Sequence, residues 1–128
     1  GLTALQFHGN ESPQYCSKFK NVIKAIRAKD EINFGLLADY EHYVCAFLFD
    51  TYSEKQNGGT GKAFDWNVLR RIETKKPIIL AGGITIETIA DAIQKVKPYA
   101  IDCVSGTETS PGKKDYEKTK KIIEVCKL

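Results

Sequence analysis

The chain has 128 residues, of which 42% are hydrophobic and 27% charged, and its formal net charge is +3. These values are ordinary for one soluble globular domain with a sizeable core, and they argue against a disordered chain. No apolar run approaches the length of a membrane helix, and the first residues lack a signal-type pattern, so we expect a cytoplasmic protein.

The lysines are spread over several segments, with a local density in residues 113–127 that predicts a solvated helix face. We therefore expect neither nucleic-acid nor membrane binding. The four cysteines are widely spaced and form no C-x-x-C motif, which predicts reduced thiols and no metal site. Cys45 and Cys103 lie within apolar runs, where buried free thiols are common.

Apolar runs and turn residues alternate along the chain and predict five strands, each followed by a helix. The predicted strands are 2–8, 21–27, 44–50, 77–81 and 99–104. The predicted helices are 13–19 behind the Ser12 N-cap, 32–40, 66–71 behind Asp65, one opening at Thr85, and 115–125. Lys24 is expected to be a barrel-interior or paired charge.

Spacing within the last two helices predicts which side chains face the core. The expected inward residues are Ile86, Ile89, Ala90 and Ile93 in the fourth helix, and Ile122, Ile123 and Cys126 in the fifth. A polar loop with Pro111 and Gly112 is expected before the fifth helix.

The third strand is a near-continuous apolar run that ends at Asp50. Such a run is typical of a strand buried on both faces of a parallel sheet, and a carboxylate at its C-terminal end lies where α/β proteins carry their chemistry. The following loop contains Gly58, Gly59 and Gly61. Its spacing fits neither G-x-G-x-x-G nor a P-loop, which favours a lid over a phosphate cradle.

Strands that alternate with helices predict right-handed βαβ units and a parallel sheet, in one of two architectures. The length favours an open doubly wound sheet, because a closed (β/α)8 barrel usually needs at least about 200 residues. The strand ends favour a barrel mouth, because each carries a polar residue or a glycine: His8, Arg27, Asp50, Gly82 and Ser105. The composition leaves both architectures open.

Five motifs follow one another in a characteristic order: LQFHGNES from Leu5, FDTYS from Phe49, GGTGKAFDW from Gly58, ILAGGIT from Ile79 and IDCVSGTETSPGKKD from Ile101. Together they resemble phosphoribosylanthranilate isomerase of tryptophan biosynthesis, a (β/α)8 TIM barrel that uses no cofactor. The resemblance implies that residues 1–128 are a single domain, equivalent to the last five βα units of the barrel.

The resemblance also implies an activity, the Amadori rearrangement of N-(5-phosphoribosyl)anthranilate by a general acid and a general base. It makes Asp50 the general acid, which must be protonated when it acts. It places His8 near the substrate and Asp102 near the ribulose hydroxyls. It assigns the phosphate to two loops, at Gly82-Gly83 and at Ser105-Gly106.

The family's base is a cysteine at the end of the first barrel strand, and none of the present cysteines aligns with it. A substrate-binding arginine from the second strand is also absent, and Val104 stands where the family usually has a second serine. We expect this polypeptide alone to be inactive or nearly so. The alternatives are a non-catalytic phosphate-binding or scaffold fragment, and a flavodoxin-like sheet that binds a nucleotide. A partial barrel also has two exposed strand edges, which predicts self-association.

Overall fold

The computed structural model describes residues 1–28, 33–51 and 65–127. Strands and helices alternate through these ranges, as the apolar pattern predicts. The elements are β1 Leu5–Phe7, α1 Pro13–Cys16, β2 Val22–Arg27, α2 Phe34–Tyr40, β3 Ala46–Asp50, a 3₁₀ helix Trp66–Arg71, β4 Ile78–Ala81, α3 Ile89–Val96, β5 Ala100–Asp102, a 3₁₀ helix Ser105–Thr107, β6 Glu108–Ser110, β7 Lys113–Lys114 and α4 Tyr116–Cys126.

The first five strands form one parallel sheet in the order β1-β2-β3-β4-β5. A doubly wound sheet reverses its strand order at a switch point, whereas successive βα units of a barrel place each strand beside the one before it. The unbroken order therefore decides between the two expected architectures, and the fold is that of consecutive units of a (β/α) barrel. The strand ends indicated this fold correctly, whereas the chain length indicated the wrong one.

The hydrophobic core lies on one side of this sheet, because alternate residues of each strand point to opposite faces. In β2 the buried positions are Val22, Lys24 and Ile26, with half-buried residues between them. The helices cover this side with apolar residues of their own. The helical members of the core cluster are Cys16, Leu37, Tyr40, Trp66, Leu69, Ile89, Ala92 and Ile122.

Side-chain caps begin several of the helices where the sequence predicts them. Ser12 Oγ accepts a hydrogen bond from the backbone N–H of Tyr15 at 3.2 Å. Asp65 Oδ1 accepts one from Asn67 N–H at 3.0 Å, although the helix that follows is a 3₁₀ helix. Asp115 Oδ1 accepts one from Lys118 N–H at 2.9 Å. Each cap satisfies a backbone donor that the helix itself leaves unpaired.

The fourth predicted helix begins later than expected, at Ile89 instead of Thr85. The reason is a local turn in which Thr88 Oγ1 accepts a hydrogen bond from Thr85 N–H at 2.9 Å and donates to Gly83 O at 3.2 Å. Because α3 starts after this turn, Ala90 is exposed and Ala92 is buried in its place.

The predicted inward orientation of two residues in the last helix is wrong. In α4, Ile122 is buried and Val125 half-buried, whereas Ile123 and Cys126 are exposed, since they lie on the next face of the helix.

The loop expected around residues 111 and 112 is the turn of an antiparallel hairpin, β6-β7. Cys45 is exposed because it precedes β3, at the end of the sheet opposite the strands' C-terminal ends.

All four cysteines have free thiols. In the three ranges that the model covers, no helix is long and apolar enough to cross a membrane.

Candidate active site

A cleft of about 420 Å³ opens at the C-terminal edge of the parallel sheet. The strands place their last side chains around it, which is the usual location of chemistry in α/β proteins. Six of the seven candidate residues line the cleft: His8, Asp50, Gly82, Gly83, Asp102 and Ser105. The fold therefore brings together residues that are far apart in the sequence.

One row of residues crosses the sheet at the floor of the cleft. Arg27 of β2 is in register with Asp50 of β3, Asp50 with Ala81 of β4, and Ala81 with Asp102 of β5. Parallel strands lie about 4.8 Å apart, so the backbones of Asp50 and Asp102 are separated by about 10 Å. Asp50 is half-buried and Asp102 is exposed. Although Asp102 lies within an apolar run of the sequence, it is the last residue of β5, and this position leaves it exposed.

The backbone on both sides of Asp50 is held by neighbouring strands. Asp50 O accepts a hydrogen bond from Ala28 N–H at 2.9 Å, and Thr51 N–H donates to Ala81 O at 2.9 Å. The Thr51 side chain is 1% exposed, and its Oγ1 donates to Ala81 O at 3.1 Å and to Gly82 O at 2.7 Å. Thr51 thus links the end of β3, which carries Asp50, to the loop that carries Gly82.

The glycines of the two candidate phosphate loops are required by the backbone. Gly82 and Gly83 have φ angles of 79° and 62°, in the left-handed region that favours glycine. Gly106 does not line the cleft, but a Cβ atom there would lie 1.9 Å from Ile84 O. The loops after β4 and β5 are therefore in backbone contact and form one surface, to which a ligand can approach closely.

The hairpin β6-β7 supports the second of these loops from outside the cleft. Lys114 Nζ donates to Val104 O at 2.8 Å and to Thr107 Oγ1 at 3.0 Å, and it forms an ion pair with Glu108 at 3.3 Å. Thr107 is buried and its Oγ1 donates to Val104 O at 2.8 Å. These contacts fix the turn that carries Ser105 and Gly106.

Cys103 also lines the cleft and is its one thiol among the described residues. Its Sγ donates to Ile84 O at 3.3 Å, and burial raises the pKa of the thiol. A general base must be deprotonated, so a hydrogen-bonded thiol with a raised pKa is poorly suited to that role.

Two other polar residues line the cleft: Arg27, which the sequence placed at a strand end without a ligand-binding role, and Gln6, to which the sequence gave no role. The strand period could have found Gln6, because it lies two residues before His8 and so points to the same face. Thr51 carried no such signal, because its partners lie 30 and 31 residues away.

Two further expectations concern Lys24 and the glycine-rich loop. Lys24 was expected to be either a barrel-interior or a paired charge, and it is a paired charge. Gly58, Gly59 and Gly61, predicted to form a lid, lie outside the described residues.

No group of three or more His, Cys, Asp and Glu side chains within 1–28, 33–51 and 65–127 is arranged to hold a metal ion. The polar groups of the cleft are carboxylates, an imidazole, a guanidinium, a carboxamide, a hydroxyl, a thiol and backbone amides.

The family model for N-(5'-phosphoribosyl)anthranilate (PRA) isomerase matches residues 1–125 of the chain. The chain is 44% identical over 128 residues to the N-(5'-phosphoribosyl)anthranilate isomerase of Pelobacter propionicus, a match that covers 99% of this chain and 60% of the relative.

Solved structures agree with the sequence match. Phosphoribosyl anthranilate isomerase from Thermotoga maritima superposes with a TM-score of 0.82 at 35% identity, over 98% of this chain and 62% of the other. Phosphoribosyl anthranilate isomerase in complex with reduced 1-(o-carboxyphenylamino)-1-deoxyribulose 5-phosphate superposes with a TM-score of 0.77 at 31% identity, over 98% and 60%.

The chain spans about 60% of the length of the curated relatives that it matches. The match itself includes each strand of the parallel sheet and every candidate residue around the cleft. The chain belongs to the N-(5'-phosphoribosyl)anthranilate isomerase family.

Proposed function

We propose that this chain forms the acid-bearing and phosphate-binding side of a phosphoribosylanthranilate isomerase active site, and that residues 1–128 are one structural unit equivalent to the last five βα units of the barrel. The observation that carries the proposal is the position of Asp50. It is half-buried at the floor of a cleft whose rim is formed, one and two strands away, by glycine loops suited to a phosphate.

In this proposal, Asp50 protonates the furanose ring oxygen of N-(5-phosphoribosyl)anthranilate and so opens the ring. A general base then removes the C2 proton, and the aminoaldose becomes an aminoketose. General acid catalysis by a positioned carboxylic acid typically accelerates such a step by about 10²–10⁴-fold. The hydrogen bonds that fix the backbone around Asp50 serve this step, because proton transfer requires a donor held at a fixed distance.

The phosphate lies at the loops of Gly82-Gly83 and Ser105-Gly106, where backbone N–H groups can approach it without a Cβ atom in the way. Asp102 binds the ribulose hydroxyls on the β5 side of the cleft, and the imidazole of His8 contacts the substrate from the β1 side. A relative of similar fold has been solved with a reduced deoxyribulose 5-phosphate compound, which supports a phosphoribosyl ligand for this cleft.

The test combines binding with turnover. The reduced carboxyphenylamino-deoxyribulose phosphate should bind the chain in calorimetry, and Gly83→Ala should weaken that binding because alanine disfavours a φ of 62°. In a protein that also contains the first three βα units, Asp50→Asn should reduce turnover at least about a hundredfold with little change in analogue affinity. Turnover near the wild-type rate in that variant would refute the assignment of the acid.

A second candidate function is phosphate binding without catalysis. It is favoured by Cys103, since this cleft thiol has a raised pKa and is engaged with Ile84 O, so it is unsuited to replace the family's cysteine base. Analogue binding by the chain together with no measurable turnover, even when the first three βα units of the barrel are supplied in trans, would establish this second function in place of the first.

A further inference from the structure

An ion pair between a buried lysine and a half-buried glutamate lies behind the sheet, on the helix side and away from the cleft. Lys24 of β2 is 3% exposed, and its Nζ lies 2.8 Å from Glu11 Oε2 and 2.6 Å from Gly9 O. The adjacent residue Ala25 lines the cleft, so Lys24 points to the opposite face of the same strand. Lys24 therefore has no direct access to a ligand in the cleft.

This ion pair holds both polar groups of the Gly9 backbone. Gly9 N–H donates to the Glu11 carboxylate, at 3.1 Å from Oε1 and 3.0 Å from Oε2, while Gly9 O accepts from Lys24. The other end of the loop is fixed as well, because Tyr40 OH donates to Glu11 O at 2.7 Å. The three residues from Gly9 to Glu11 are thus fastened to β2 and to α2.

The contacts matter for the cleft because Gly9 follows His8. The N–H of Gly9 belongs to the peptide unit that joins the two residues, so its hydrogen bonds fix the ψ angle of His8. On the other side of His8, Phe7 is the register partner of Lys24 itself. His8 is therefore held from before and after by one residue of the neighbouring strand.

We propose that Lys24 and Glu11 are positioning residues, which act from behind the sheet to hold the His8 imidazole at the mouth of the cleft. This inference rests on the proposed function for the role of His8, but its geometry does not depend on turnover. A lysine is almost never fully buried unless it is paired, and an apolar pair of similar volume would fill the same space. An apolar pair would lack both the acceptor for the N–H of Gly9 and the donor for its C=O, which Glu11 and Lys24 supply.

Two histidines, His8 and His42, make a direct test feasible by NMR, with His42 as an internal reference. The variants are Lys24→Met and the more conservative Glu11→Gln, which keeps the side-chain size. The matched control is Lys95→Met, because Lys95 and Asp91 also form a 2.9 Å ion pair, but on the exposed face of α3.

In both variants of the Lys24–Glu11 pair, we expect the chemical shifts of the His8 ring to change and its line widths to decrease, while the His42 signals stay in place. Lys95→Met should leave the signals of both histidines unchanged. If Lys24→Met does not fold, Glu11→Gln decides the question alone. Unchanged His8 signals in a folded variant of the pair would overturn the proposal.

Affinity for the reduced product analogue gives a second readout. The loss of one or two fixed hydrogen bonds predicts an affinity lowered about threefold to tenfold in Lys24→Met, with no change in Lys95→Met. If the wild-type chain itself does not bind the analogue, the proposed function fails, but the NMR comparison still decides whether the pair positions His8.

Discussion

A Cβ atom on Gly106 would lie 1.9 Å from the carbonyl oxygen of Ile84 and 2.9 Å from its carbonyl carbon. The loop after β5 therefore packs directly on the backbone of the loop after β4. No rotation of a side chain can relieve this contact, because the obstructing atoms are main-chain atoms. The two candidate phosphate loops consequently depend on each other for their shape.

Gly106→Ala should destabilise the protein by about 3 kcal/mol, at the upper end of the usual cost of overpacking, because one of the two loops must move. Chemical denaturation would measure the change, and calorimetry with inorganic phosphate should show weaker binding in the same variant. The matched control is Gly112→Asn in the hairpin turn, where nothing lies within 4 Å and asparagine tolerates the φ of 79°. Equal stability losses in the two variants would contradict the steric explanation.

Thr51→Val should cost about 1–3 kcal/mol of stability, although valine has nearly the same shape, because Gly82 O and Ala81 O lose a buried donor. Thr51→Ser keeps the hydroxyl and should recover most of that loss. Differential scanning calorimetry of the two variants would separate the hydrogen bonds from the packing. A valine variant as stable as the wild type would show that water replaces the threonine hydroxyl.

Glu11 should contribute to acid stability. The hydrogen bond from Lys24 lowers the pKa of its carboxyl from the usual 4.5, and burial opposes this effect only in part. Because the folded-state pKa is the lower one, the contribution is fully present above pH 4.5 and is lost as the pH falls through the folded-state value. Tyr40 and Cys16 face the same pair from α2 and α1, and burial raises both of their pKa values, so neither titrates in this range.

The free energy of unfolding of wild type and Glu11→Gln should therefore converge as the pH is lowered from 7 to 3. The difference between the two proteins is the useful quantity, because Asp65 and Glu87 also have lowered pKa values and add their own acid dependence to both. A difference that stays constant over this range would show that the lowered pKa of Glu11 does not affect folding.

The isolated chain should self-associate, since within the described residues β1 and β5 each have only one hydrogen-bonded neighbour in the sheet. Sedimentation velocity should show a weight-average mass that rises with protein concentration. Addition of a polypeptide that supplies the first three βα units should shift the population towards a one-to-one complex. A compact monomer at all concentrations would contradict this expectation.

The strands of the parallel sheet and the start of α4 could be predicted from the sequence because their signals are local. An apolar run that stops at Asp50 marks β3, and Asp115 before a periodic segment marks a helix start. The start of α3 was mispredicted because the hydroxyl of Thr88 diverts the chain into a turn, a competition that apolar spacing does not reveal.

The cleft could be predicted only in part. Residues that end strands, such as His8 and Asp50, follow from the rule that parallel strands share one C-terminal edge. The supports of these residues could not be predicted, because each joins distant segments: Lys24 reaches Glu11 across 13 residues, and Tyr40 reaches Glu11 O across 29. Hydrophobic patterns describe faces of elements, and they carry no information about which buried polar groups will meet.

The one-sided core has a genetic consequence. Along β2 and β3, successive residues alternate between the helix-covered core and the open cleft, so stability and ligand chemistry are encoded in interleaved positions of the same short strands. A substitution at an exposed cleft position such as Arg27 can alter what the cleft binds with little direct effect on folding, whereas Leu48 is buried on the cleft side of β3 and serves both purposes. A single-residue deletion inside β3 would instead exchange the two sets, turn Phe49 towards the cleft and Asp50 towards the core, and abolish binding and folding together.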